Sequence, residues 1–146
     1  MFRVGYPLYS ILQFSAIQNN EYNYKIVEIK DKKYILEPFL GKKGFKIKQK
    51  VVRLLAPVLK EVGTLKEENT ILEYLAVAVQ SVMEHSDDDS LFNLIEELLT
   101  GAKTESGKID FDTEFSQNYV TLYKLVAEIV LYNYKDVFSE LGMNVG

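Results

Sequence analysis

Residues 112–140 read DTEFSQNYVTLYKLVAEIVLYNYKDVFSE, and this stretch decides the fold. Phe115, Tyr119, Leu122, Val126 and Ile129 recur at alternating four- and three-residue spacing, the repeat of one helical face. A second stripe, Val120, Tyr123, Ala127, Val130, Tyr134 and Val137, runs beside it. Together they predict one long helix over 112–140, with Asp112 or Thr113 as its cap. Two stripes give a wider apolar surface than a one-sided helix needs. Such a helix is either the centre of the core or is shared between a core and a partner.

Working outward, residues 101–110 are polar, contain Gly107, and read as a loop. Before them, Leu91, Phe92, Leu94, Ile95, Leu98 and Leu99 form a short amphipathic helix, closed by Gly101 and capped by the run Asp87-Asp88-Asp89. The segment ILEYLAVAVQSVM is apolar on most sides and predicts a buried helix over about 67–85, capped by Thr64 or Asn69. Phe45, Ile47, Val51, Leu54, Leu55, Val58 and Val62 predict a further helix over 45–62. Pro57 should kink or split it, and Gly63 should stop it. Residues 24–37, rich in β-branched and aromatic types, predict a β-hairpin turning at Asp31-Lys32 and ended by Pro38. Residues 8–17 are compatible with a strand or a helical turn. The expected class is mostly α, an α+β arrangement. It comprises a bundle of about four helices with a small N-terminal hairpin, a single domain over 1–146. Within it, residues 1–44 form the segment carrying the hairpin and 45–146 the helical region.

The 146 residues are 47% hydrophobic and 26% charged, ordinary values for a globular chain with a core. There is no cysteine, which excludes disulfides and thiolate metal sites. The start, MFRVGYPLYSILQF, has a short interrupted apolar run and no small-residue cleavage site, so a signal peptide fits poorly. No window approaches the roughly 20 apolar residues of a membrane span. The net charge of −4 is unevenly divided. Residues 1–60 carry twelve basic and four acidic side chains, whereas 61–146 carry five and seventeen. A basic half joined to an acidic half can attract its own copies head to tail or dock partners of either sign.

Three groupings could carry chemistry, and each has a plainer reading. Asp87, Asp88 and Asp89 offer oxygens to a divalent cation, but they precede an apolar helix and suit its N-terminus. Asp110, Asp112 and Glu114 resemble the opening of a calcium loop. That loop needs glycine and glutamate where Phe115 and Thr121 stand, so it is rejected. His85 is the only histidine and reads as an exposed residue at a helix end. No phosphate-binding glycine loop, nucleophile elbow or zinc-binding helix motif is present. The chain therefore reads as a binding protein and not an enzyme, with no cofactor and no metal. Lys42, Lys43, Lys46, Lys48, Lys50 and Arg53 crowd the start of the 45–62 helix around Phe45. The acidic balance and the lack of any nucleic-acid-binding signature argue for an acidic protein partner there, not nucleic acid.

The order of parts resembles that of the tail assembly chaperones of long-tailed bacteriophages. The resemblance rests on the run LEPFLGKKGFKIKQKVVRLLAPVL after a hairpin, an acidic helical middle, and the closing FDTEFSQNYVTLYKLVAEIVLYNYKDVFSELG. In that family a long last helix ends in a valine or leucine, an asparagine–aromatic pair and a nearby phenylalanine; here these are Leu131, Asn133-Tyr134 and Phe138. Tyr134 stands where phenylalanine is more usual, and the aromatic residues 1–20 are additional. The resemblance covers roughly 24–141. It implies a non-catalytic protein of the host cytoplasm that binds and solubilises the tail tape measure protein, with the tail tube protein and further copies of itself as other partners, and with neither nucleic acid nor membrane. The partner-binding residues expected on this reading are Lys43, Lys46, Lys50, Arg53, Val130, Tyr134, Val137 and Phe138. A structural or assembly component of a tail or baseplate is the first alternative, and a small nucleic-acid-binding regulator the second.

Overall fold

A computed structural model describes residues 24–62, 71–86 and 88–140. The expectations for residues 1–20, Gly63, the caps Thr64 and Asn69, and Asp87 lie outside these. The elements in order are β1 (Lys25–Ile29), β2 (Lys32–Leu36), α1 (Gly41–Val62), α2 (Ile71–Glu84), α3 (Asp89–Leu99), β3 (Ala102–Thr104), β4 (Gly107–Lys108), α4 (Phe111–Phe115) and α5 (Tyr119–Glu140). The class is mostly α with a small antiparallel sheet, as expected.

β1 and β2 pair with Ile29 opposite Lys32, so the turn is Lys30-Asp31, one residue earlier than the sequence suggested. Both turn residues have positive φ, 51° and 66°, the conformation that lets a two-residue turn follow the twist of its strands. Val27 and Ile29 alternate inward with exposed Ile26 and Glu28, the pattern of a strand with one buried face.

The stretch 101–110 is not a plain loop. β3 pairs with β2 through Ile35–Lys103 and Leu36–Ala102, and β4 folds back on β3, giving a four-stranded antiparallel sheet in the order β1-β2-β3-β4. The inward residues of β3 are Ala102 and Thr104, small and only two in number. That alternation is too short to register as a period. Thr104 Oγ1 accepts from the Ser106 N–H at 3.2 Å and donates to the Gly107 carbonyl, which closes the turn.

The predicted continuous helix over 112–140 is broken. α4 is a separate turn capped by Asp110, not by Asp112 or Thr113, and the Asp110 carboxylate accepts from the Thr113 N–H at 3.3 Å. Gln117, at φ 58°, then reverses the chain, and α5 starts after Asn118, whose side-chain oxygen accepts from the Thr121 hydroxyl at 2.9 Å. α5 also departs from helical geometry at Tyr134 (φ −130°, ψ 29°). α1, by contrast, runs through Pro57 without splitting.

The core lies where α5 crosses α1, α2 and α3. Leu122, Leu125, Val126, Ala127, Ile129 and Val130 of α5 are all buried, with Leu75 and Val79 of α2, Leu94 and Leu98 of α3, and Ile47, Val51 and Leu55 of α1. Each such aliphatic side chain contributes about 1.5–3 kcal/mol by leaving water. Of the two readings of the last helix, central and shared, most of α5 takes the first. Of its described apolar side chains, only Tyr119 and Val120 at its start are exposed.

At the sheet, Tyr34 is fully buried and donates its hydroxyl to Glu114 of α4 at 2.6 Å, while Lys32 pairs with the same carboxylate. Burial and the adjacent Glu114 push the Tyr34 hydroxyl far above the usual phenol range. On α5, burial raises the Glu128 carboxyl above its usual range, against the opposing pull of Lys25. The folded protein therefore binds that proton more tightly than the unfolded chain. Stability from this group is highest below the ordinary carboxylate pKa and is lost as pH rises through the folded value. Glu128→Gln, which keeps the volume and removes the charge, is expected to stabilise the protein at neutral pH by less than about 1 kcal/mol, since the site is partly solvated. The gain should vanish in acid. Thermal unfolding across pH 3–8 (about that window) checks this, and a gain that persists at the acid end would contradict it.

Candidate functional site

α1 presents two faces. Ile47, Val51, Leu55 and Leu59 turn inward, and Lys42, Lys46, Arg53 and Lys60 recur on the opposite face at helical spacing, all exposed. Over residues 41–60 the helix contains no acidic residue. On the edge nearest α3, Lys50 pairs with Glu97 at 3.2 Å, and Lys43 reaches the Thr100 hydroxyl at 3.4 Å and the Phe39 ring at 5.5 Å. Among the described residues no ion pair involves Lys42, Lys46 or Arg53.

Phe45, the first of the apolar residues whose spacing predicts the 45–62 helix, is 55% exposed, and Lys48 lies over its ring at 4.4 Å. The reason is visible in the spacing: residues two apart on a helix do not share a face, and the buried stripe is set by Ile47. Leu40, just before α1, is also exposed. The strip thus has cations along it and apolar groups at its beginning.

The other predicted binding residues are placed differently. Val130 and Phe138 have no exposed surface, Tyr134 is 6% exposed, and Val137 is partly buried against the core. The expected open stripe on the last helix is corrected: it packs inward against the helices that surround it. The two predicted groups meet at one point, where the Tyr134 hydroxyl donates to the Gly44 carbonyl at 2.9 Å. Burial, with a further push from Glu97, raises that hydroxyl to about 12.

Its neighbour Asn133 was not among the expected binding residues, and the structure gives it a defined task. Its side-chain oxygen accepts from the Phe39 N–H at 2.9 Å while its amide donates to the Ile129 carbonyl at 2.9 Å. On the opposite side the Glu37 N–H donates to the Gly101 carbonyl at 2.9 Å. The Phe39 ring lies so close to Gly101 that a Cβ there would sit 2.7 Å from it. Asn133 and Tyr134 therefore fasten the connection between β2 and α1, and with it the orientation of the basic strip. A composition-based reading could not find this, because both bonds end on backbone atoms ninety or more residues away.

Beside α1, an open groove of about 660 Å³ runs between α3, the β3–β4 hairpin and α4. Phe92, 43% exposed, leans edge-on against Phe111, which leans on buried Phe115. Glu96, Asp110 and Asp112 line the groove against Lys43 and Lys108, and Asp88 and Asp89 flank Phe92 at its end. Asp88 is the cap of α3; hydrogen bonds from Ser90 hold its carboxyl below the usual range. His85 is exposed, with its ring Nδ1 2.8 Å from the Ser81 carbonyl. Among the described residues no three histidine or acidic side chains gather as a metal site, and no helix is long and apolar enough to cross a membrane. Between α1, α2, α3 and α5 lies a void of about 20 Å³ lined only by apolar side chains. It has no polar group to orient a ligand.

The profile of a family described as phage tail assembly chaperone protein, TAC, matches residues 30–144. No curated protein and no solved structure matches the chain.

Proposed function

The chain belongs to the phage tail assembly chaperone family, and from that premise we propose that it serves tail assembly by binding the tape measure protein and keeping it soluble until tube subunits displace it. It does so in the host cytoplasm, by contact and without catalysis. The observation that carries this reading is the strip on α1: Lys42, Lys46, Lys50 and Arg53, with no acid over residues 41–60 and with Leu40 and Phe45 exposed at its start. A long helical client exposes apolar stripes until it is packaged. A surface of cations beside exposed apolar side chains suits client segments that are both acidic and amphipathic. Charge attraction speeds the encounter, while the small apolar area keeps release fast, as a chaperone requires. The buried face of α5 has no part in this, and the client surface lies on α1.

Co-expression with the tape measure protein tests the reading. The parent chain is expected to keep most of the client in the soluble fraction. Lys46→Glu with Arg53→Glu, on exposed positions that leave the fold intact by circular dichroism, is expected to lose most of that effect. Unchanged client solubility with the folded double variant would show that the strip is not the client surface.

A further inference from the structure

The outward face of α3 carries one aromatic ring between two carboxylates. Asp89, Phe92 and Glu96 stand three and four residues apart, on one side of the helix, and all three are exposed. Leu91, Leu94, Ile95 and Leu98 take the inward side, so the core itself fixes which way Phe92 faces. Across the groove stand Phe111, whose ring meets that of Phe92 edge-on at 5.3 Å between centroids, and exposed Asp112. Among the described residues no cation pairs with Asp89, Glu96 or Asp112. Of the two lysines in the lining, Lys43 reaches the Phe39 ring and the Thr100 hydroxyl, which leaves Lys108 against Glu96, Asp110 and Asp112. We infer that the groove receives a basic amphipathic helix of a partner protein, with lysine or arginine at two positions seven residues apart and one large apolar side chain between them.

The spacing sets the pattern. Asp89 and Glu96 are two helical turns apart, about 10.5 Å at 1.5 Å per residue, and a helix laid alongside α3 repeats that interval. Its two cations meet the two carboxylates, and an apolar side chain three or four positions from each enters beside Phe92 and Phe111. Recognition of a helix in a groove uses such anchors one and two turns apart. Asp112, on the other wall, adds to the attraction for a basic segment. The rings supply contact that charge alone does not, while the carboxylates set the orientation and turn acidic segments away. The α1 strip has the opposite preference, so two neighbouring surfaces sort partner segments by charge. The inference goes beyond the client reading and stands without it, since Lys43 is the one α1 residue in the groove lining.

Fluorescence anisotropy with the purified full chain and a synthetic probe tests it. The probe is an alanine-rich peptide of about 20 residues, long enough to hold a helix on its own. It carries two arginines seven residues apart, a leucine between them and a neutral fluorophore. The parent chain is expected to bind it at low salt. Replacing the leucine by alanine should weaken binding at least about threefold, and replacing both arginines by glutamate should abolish it. Glu96→Lys with Asp112→Lys, at exposed positions that avoid every helix cap, should weaken binding at least about tenfold. Phe92→Ser should weaken it at least about threefold. Glu28→Lys with Glu105→Lys makes the same change of net charge at exposed positions outside the groove lining, and should leave binding within about twofold. Circular dichroism checks that each variant is folded. In the parent chain, backbone amide shifts on adding the peptide should concentrate at 89–96 and 108–112. No binding by the parent, equal weakening by the charge-matched control, or shifts centred on α1 would each overturn the proposal. The client assay with Lys46→Glu and Arg53→Glu reads the strip alone, so failure of this inference and failure of the client reading are told apart.

Discussion

Val130→Asp is expected to abolish cooperative folding at ordinary temperature. Val130 has no exposed surface and packs among Val51, Leu55, Leu94 and Leu98, where no described polar group could receive a carboxylate. Burying an unpaired carboxyl costs several kcal/mol even after it takes up a proton. Single substitutions costing more than about 4–5 kcal/mol belong to this class. A domain of this size has about 5–15 kcal/mol in all. The thermal midpoint should fall by roughly 10 °C or more, or the transition should disappear. Val120→Asp is the matched control, ten residues earlier on the same helix and 47% exposed, and should change stability by no more than about 0.5 kcal/mol. If both variants unfolded with the parent midpoint, α5 would not be the core helix. Loss of client binding by the Val130 variant would accordingly report unfolding, not a binding surface.

That pair of residues also shows what periodicity conveys. The two stripes of the last helix revealed that much of its circumference is apolar, and the structure buries that circumference. They could not reveal which other helices would cover it, because coverage depends on how α1, α2 and α3 cross α5. The hairpin at 24–37 and the helices around α1, α2 and α3 were legible because each has enough residues to repeat a pattern. β3 and β4 were not, since two inward side chains make no period and their pairing partner lies more than sixty residues away in β2. The break before α5 turns on Gln117 at positive φ, a conformation that its side chain does not announce. Of the candidate site, Lys43, Lys46, Lys50 and Arg53 were legible from charge and spacing alone. The groove was not, because it is assembled from three separate elements, and the fastening by Asn133 and Tyr134 was not, because it joins side chains to distant backbone.

The second large effect concerns that fastening. Gly44 sits in the first turn of α1, where a Cβ would lie 2.9 Å from the Phe39 carbonyl oxygen and 3.2 Å from the Phe39 Cβ. Phe39 has nowhere to retreat: its N–H is held by Asn133, and its ring rests on Gly101 with Lys43 above it. On helix propensity alone, alanine in place of glycine would gain about 1 kcal/mol. Here the crowding, typically about 1–3 kcal/mol for overpacking, outweighs that gain, so Gly44→Ala should be mildly destabilising. Gly44→Val adds two further methyl groups to the same gap, against the Phe39 backbone and Cβ, and the overpacking grows accordingly. A total loss of about 3 kcal/mol or more is expected, read as a lower urea midpoint. Tyr134→Phe isolates the hydroxyl and should cost only about 1 kcal/mol. If Gly44→Ala proved stabilising instead, the Phe39 turn would be free to yield. The connection would then not be what fixes the direction of α1 and the basic strip upon it.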